Sequence, residues 1–115
     1  VKHASDVFII LDSHHVIQFV SPAIEPMLGY LTEDITGKPG TDFAPFAKVF
    51  EMEKAKNKKD PYIRELNLKR ADGLFIDTEV IHLNMLQDPD INGFQLALSG
   101  VPNTASFDTS TGAPG

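Results

Sequence analysis

The stretch that decides the fold is VIQFVSPAIEPMLGY, residues 16–30. Its opening residues are rich in β-branched and aromatic side chains and read as a strand. Ser21 follows, placed to accept a hydrogen bond from a backbone N–H of the next turn. Pro22 suits a first helical position, where no N–H is needed. Ile24, Met27 and Leu28 then fall at i, i+3 and i+4 and give a short helix one apolar face. Pro26 lies inside it and keeps it short and irregular. Gly29 stops it, because glycine tolerates the positive φ of a helix C-terminus. Directly behind comes LTEDITGK, 31–38, where Thr32 supplies a cap, Glu33 and Asp34 place negative charge at a helix N-terminus, and Gly37 ends a second small helix. A strand running into two tiny capped helices is a crossing loop rather than the start of a bundle.

Upstream, DVFIILD (6–12) is a short apolar run rich in Ile and Val, read as a buried strand. DSHH (12–15) brings turn formers, so the two strands make a hairpin. Downstream, residues 40–60 hold the longest helix. Thr41 or Asp42 caps its approach, Pro45 lies near its start, and Phe46, Val49 and Phe50 form its apolar stripe. Lys54, Lys56, Lys58 and Lys59 gather at the C-terminal end, a solvated group that complements the helix dipole. YIRELNLKR (62–70) alternates, with Leu66 and Leu68 on one side and Glu65, Asn67 and Lys69 on the other. ADG (71–73) turns the chain. LFIDTEVIHLNML (74–86) is a long strand with apolar residues on both faces, QDPDING (87–93) a loop, and GFQLALSGV (93–101) a last strand. Strands grouped at both ends with helices between them give an α+β fold: a five-stranded antiparallel sheet with short helices and one longer helix packed on one face.

Composition narrows the function classes. The 115 residues suit one domain, with 42% hydrophobic and 23% charged residues. A formal net charge of −6 argues against nucleic acid or an anionic membrane as partner. There is no cysteine, hence no disulfide, thiolate ligand or cysteine nucleophile. No apolar run approaches the ~18 residues of a membrane span, and no signal-peptide pattern opens the chain. The expected organisation is an N-terminal flank over 1–5, a folded domain over 6–102, and a Ser/Thr/Gly/Pro-rich flexible linker or tail over 103–115.

The order of elements, together with particular residues, resembles a PAS domain (the sensory-box family). FIILDSHHVIQFVSPAIEPMLGYLTEDITGK follows that family's run of strand, turn, strand, Asn/Ser-Pro-Ala, apolar helix, Leu-Gly-Tyr, acidic turn and Ile-x-Gly-Lys, and ELNLKRADG matches its basic strand ending in Asp-Gly. The resemblance covers about residues 6–101. It departs at the end, where the family often has Asp-Ile-Thr before a signalling helix and this chain has SGVPNT, with Pro102 interrupting a direct exit.

The resemblance implies a pocket between the long helix and the sheet. Phe43, Phe46, Val49 and Phe50 would line one wall, and Val80, His82, Leu96 and Leu98 the other. With period 2, Ile76, Thr78, Val80 and His82 share one face of their strand and Phe75, Asp77, Glu79, Ile81 and Leu83 the other. The resemblance places the first set toward the pocket, where His82 would hydrogen-bond a small polar ligand or pack as a core histidine. Cysteinyl-flavin photochemistry is excluded with the missing cysteine. Haem is not expected, since residues 41–60 contain no histidine. No cofactor is evident, and an unidentified small molecule is the ligand class left open. His3 is terminal. His14 and His15 read as exposed turn residues, and neighbouring side chains in extended backbone point apart, poor geometry for a metal. Phe75, Ile81 and Leu83 on the outer face call for a cover; the resemblance implies an N-terminal helix or a second protomer, and a homodimer through this face is the expectation.

The expected function is a sensory or interaction module of a cytoplasmic multidomain signalling protein of the histidine kinase, diguanylate cyclase or chemoreceptor type. It would sense a small molecule or transmit a signal through dimerisation to an effector domain, with no nucleic acid or membrane contact of its own. A ligandless dimerisation domain is the alternative. A small cone-shaped enzyme is disfavoured: Asp77 and His82, the nearby acid–base candidates, have odd spacing and fall on opposite faces of one strand.

Overall fold

The structure, a computed structural model, describes residues 6–56 and 62–101. The 1–5 flank, Lys58 and Lys59, Pro102 and the 103–115 tail lie outside the described residues. The elements are β1 (Val7–Asp12), β2 (Ile17–Val20), α1 (Ile24–Leu28), α2 (Thr32–Ile35), a 3-10 turn (Gly40–Asp42), α3 (Ala44–Lys56), β3 (Tyr62–Lys69), β4 (Phe75–Met85) and β5 (Gly93–Gly100). They form one antiparallel sheet in the order β2-β1-β5-β4-β3, as an α+β chain of this pattern should. The helices lie against one face. A single apolar core fills the space, built from Val7, Ile9, Leu11, Ile24, Leu28, Phe46, Leu96 and Leu98 among others.

The centre of the sheet is the pairing of the first strand with the last. Val7 to Asp12 run antiparallel to Leu98 to Gly93, residue for residue. At Gly93 the backbones come so close that a Cβ would collide with the carbonyl oxygen of Leu11. Glycine is the residue that fits there.

β2 holds its register through a bulge. Ile10 faces Phe19 but Leu11 faces Ile17, so Gln18 is the extra residue. The burial pattern shows the result: Gln18 and Phe19 are both exposed while Ile17 and Val20 are both buried. The outer edge of β2 is not left open. Ile17 N–H donates to Lys38 O (2.9 Å), Gly37 N–H to Ile17 O (2.7 Å) and Gly40 N–H to His15 O (2.8 Å), so the 37–40 segment covers it.

The opening stretch forms its strand and two helices, but its caps differ from expectation. Ser21 Oγ accepts from Phe8 N–H (2.9 Å), tying β2 to β1 instead of capping α1. The residue before α1 is Ala23, which makes no side-chain cap, and α2 follows Leu31 with none either; the Thr32 hydroxyl meets Glu33 instead (3.5 Å). Pro26 is the third residue of α1, where its missing N–H is one that no helix carbonyl would have used. Gly29 closes α1 as expected, at φ 85°. The far end of α1 is also held from outside. Arg70 Nη1 donates to the carbonyls of Pro26 (3.1 Å) and Met27 (2.7 Å), and Ala71 N–H donates to Leu28 O (2.7 Å). Asp72 holds that guanidinium at 3.2 Å and accepts from Leu74 N–H (3.0 Å), so the β3–β4 turn is fastened to α1.

Two carboxylates organise the turns. Asp12 accepts from the backbone N–H groups of His14 (2.8 Å) and Val16 (2.9 Å). Its carboxyl is held below the ordinary value, first by the Val16 bond, which desolvation opposes, and then by the His14 bond and the His14 and His15 charges. Asp72 is lowered too, by the Leu74 N–H and then by Arg70.

Gly93→Ala should destabilise the chain by about 3 kcal/mol or more, because backbone, not a flexible side chain, occupies the Cβ position; urea unfolding measures it. Asp12→Ala should lower the urea midpoint at neutral pH. A carboxyl whose folded pKa is depressed adds stability above its unfolded value, near 3.8, and loses it as pH falls through the folded value. The gap between wild type and variant should therefore close as the pH is taken below that value.

Candidate functional site

β4 alternates as its sequence requires. Thr78, Val80 and His82 are buried toward α3, while Asp77 and Glu79 face outward. Opposite them, the stripe of α3 brings in Phe46, Val49 and Phe50, all buried, and β5 adds Leu96 and Leu98. Phe43 is half-buried at the approach to α3, edge-on to Phe46 (6.4 Å between centroids) and to Tyr30 (5.5 Å). Burial raises the Tyr30 phenol above its ordinary pKa. The eight residues expected to line a pocket thus sit on the facing walls of one compact core.

Polar groups in that core are few, and each has a definite place. Thr78 Oγ1 donates to Leu66 O across the β3–β4 pair (3.0 Å). His82 is 1% exposed, with both ring nitrogens buried. Its ring lies 5.5 Å from that of Phe94 on β5. Phe94 has a second imidazole on it: His15 stacks parallel at 4.6 Å and 3°, and also meets Phe50 of α3 at 4.4 Å. Phe50, His15, Phe94 and His82 therefore form a column of rings from the long helix, past the β1–β2 turn, to β4.

His15 is thus no exposed turn residue, as its place in DSHH suggested. The turn puts it at φ 66°, a left-handed conformation that swings the ring inward, whereas His14 is exposed. Arg64 is the second residue the sequence reading passed over. It faces Val80 across the β3–β4 pair, on the inward side with Leu66 and Leu68, is half-buried, and has a buried guanidinium nitrogen. The signal was present: Arg64 has the parity of Leu66 in YIRELNLKR.

The outer face is built in rows read from the register. Phe19, Ile10, Gln95 and Leu83 form one row across four strands. Phe8, Ala97, Ile81 and Ile63 form the next. Phe8, Phe19 and Ile63 are 39%, 50% and 56% exposed. The third row is Ser99, Glu79 and Glu65, and beyond it Asp77 accepts from Asn67 Nδ2 (2.7 Å). Of the three outward apolar residues expected to need cover, Ile81 and Leu83 lie in the apolar rows, half-buried. Phe75 is exposed at the hairpin end, beyond the acidic band.

The architecture has close counterparts among solved structures. A PAS domain from Colwellia psychrerythraea superposes with a TM-score of 0.69 at 14% identity, over 86% of this chain and 88% of that one. The chain has the PAS fold. A PAS domain of a LuxR-family transcriptional regulator from Burkholderia thailandensis, solved in complex with ethanol, gives 0.64 at 14% identity over 86% and 92% of the two chains. A domain of a sensory box sensor histidine kinase/response regulator from Geobacter sulfurreducens gives 0.63 at 19% identity over 86% and 85%. No protein-family model matches the chain, and no curated protein matches it in sequence. No helix among the described residues is long and apolar enough to cross a membrane.

The ring column yields a prediction about His15. His15→Ala should destabilise by about 1–3 kcal/mol through lost stacking and burial. His15→Gly should cost less, because glycine relieves the left-handed backbone by about 1 kcal/mol. Equal losses in chemical unfolding would show that the turn stores no strain.

Proposed function

We propose that this PAS-fold domain is a sensory module of a cytoplasmic multidomain signalling protein, and is not itself an enzyme. One observation carries the reading: a fully buried histidine, His82, stands on the inner face of the sheet beside Val80, Leu96 and Phe94. An imidazole offers a ring nitrogen donor and acceptor that a leucine at the same place would not, which suits it to recognising a polar atom of a small molecule. The ring column would carry the event to α3 and the β1–β2 turn, because packed rings rearrange between discrete arrangements more readily than they deform. A ligand that prefers one packing of α3 on the sheet would shift the population by its differential affinity and by no more. Output would leave through the outer face of the sheet, toward a neighbouring domain or a second protomer. The histidine kinase and transcriptional regulator among the structural neighbours support a signalling context of that kind.

A second reading has its own observation. Phe46, Val49, Val80, Leu96 and Leu98 belong to one continuous buried cluster, as in a domain that packs and transmits without a ligand.

Titration of the isotope-labelled chain with a library of small polar molecules, followed by amide shifts, separates the two. Sensing predicts saturable shifts clustered at Val49, Phe50, Val80, His82 and Leu96, abolished by His82→Leu in a chain that still folds. Native mass spectrometry of the purified chain adds a search for a co-purifying molecule. Absence of saturable shifts at these positions, with nothing bound, would leave the ligandless module.

A further inference from the structure

The two edges of the sheet are finished differently. β2 has its outer side covered by the 37–40 segment. β3, at the other edge, has β4 as its one neighbouring strand among the described residues. An open edge offers unpaired N–H and C=O groups to any extended chain, and folds often blunt it with a bulge, a proline or a very short strand. β3 has none of these. Tyr62 to Lys69 pair with His82 to Phe75 residue for residue without a shift, and the strand holds no proline.

The ladder fixes which groups are offered. Arg70 N–H donates to Leu74 O (2.7 Å), one step beyond the Lys69–Phe75 pair. Bonded and non-bonded pairs alternate in an antiparallel ladder. Arg64, Leu66 and Leu68 therefore turn their backbone groups toward β4, and Ile63, Glu65, Asn67 and Lys69 turn theirs to the open side. The far flank of β4 agrees. Asp77 O accepts from Val101 N–H (3.0 Å), so the odd-numbered residues of β4 bond toward β5 and leave the even-numbered ones to β3. Ile63, Glu65, Asn67 and Lys69 are also exposed. The residues that offer backbone thus carry a fixed order of side chains: apolar, acid, amide, base.

That order discriminates among partners. An added strand sets a residue directly opposite each of these positions, where opposite charges attract and like charges repel. A second copy of β3 fits poorly. Centred on Glu65, it meets its own Glu65. Shifted to bring Glu65 opposite Lys69, it sets Arg64 against Arg70 on the inner side. The register between, centred on Leu66, puts Glu65 opposite Asn67 and Lys69 opposite Ile63, with neither charge matched.

We propose that the open edge of β3 takes up an extended segment of a partner protein as an additional antiparallel strand. Along that segment an acid lies opposite Lys69, a base follows opposite Glu65, and an apolar residue comes last, opposite Ile63. The contact is made by backbone at the sheet edge and does not rest on the sensing reading above.

The test uses the full isotope-labelled chain and two capped peptides of one composition, Asp-Val-Thr-Val-Lys-Thr-Val and Lys-Val-Thr-Val-Asp-Thr-Val. Calorimetry at low salt should show the first binding about tenfold more tightly. In the Glu65→Lys, Lys69→Glu chain the preference should reverse, with circular dichroism unchanged at these exposed positions. Near saturation the first peptide should slow amide exchange at Ile63, Glu65, Asn67 and Lys69 by about tenfold, and change Leu66 and Leu68 far less, since those are already bonded to β4. Methylating the peptide nitrogen of the residue opposite Asn67 should abolish binding; methylating its neighbour opposite Leu66, whose N–H points away, should not. Equal affinity of the two peptides, an unreversed preference, or no binding would overturn the proposal. So would protection of the same amides that rises with protein concentration in the absence of peptide, because a second copy would then be the occupant. Shifts at His82, present or absent, bear on none of these results.

Discussion

The structure rests on the contact between β1 and β5. These strands come from opposite ends of the folded region, yet they lie side by side at the middle of the sheet. Each brings its sequence neighbour with it, so the N-terminal hairpin and the C-terminal pair of strands become one surface. Only then do Ile9, Leu11, Leu96 and Leu98 face the same side and give α3 something to lie on. The close approach at Gly93 fixes this register: with one residue of slip, every inward leucine would turn outward.

From that surface the two faces take different roles. The inner one is almost wholly apolar, and its exceptions, Thr78, His82 and Arg64, lie on the neighbouring strands β3 and β4. The outer one is ordered by rows, apolar and then acidic. Under the proposed reading, a change in how α3 sits would pass through a sheet of single thickness, whose inner side carries the core and whose other side carries the outer rows.

Much of this was legible from residue order. The alternation in 74–86 separated Val80 and His82 from Ile81 and Leu83, the resemblance set the first pair inward, and the 3.6-residue pattern of Phe46, Val49 and Phe50 gave the helix face. Gly29 as a helix stop is a local matter of backbone sterics, so the sequence held it outright. What escaped depends on distant neighbours. Ser21 looks like a cap, but the N–H of Phe8 is available to it only once β1 lies alongside. His15 looks solvated, since nothing local says its backbone turns left-handed and meets rings from β5 and α3. The extra residue at Gln18 is invisible until both partners of the strand are known. Phe75 stands exposed on the outward side, where the alternation put it, with Leu74 beside it at the hairpin tip.

The pairing of first strand with last also has a meaning for biogenesis. A ribosome releases β1 long before β5 exists, and β2 alone makes a two-stranded ribbon of marginal stability. Until β5 emerges, one side of β1 offers unmated backbone amides and carbonyls to any passing strand. Closure therefore waits on a long-range encounter, the slow kind for a domain of this size. The nascent chain is most exposed to misassembly in that interval, and a holding chaperone would find its grip on the VFIILD segment.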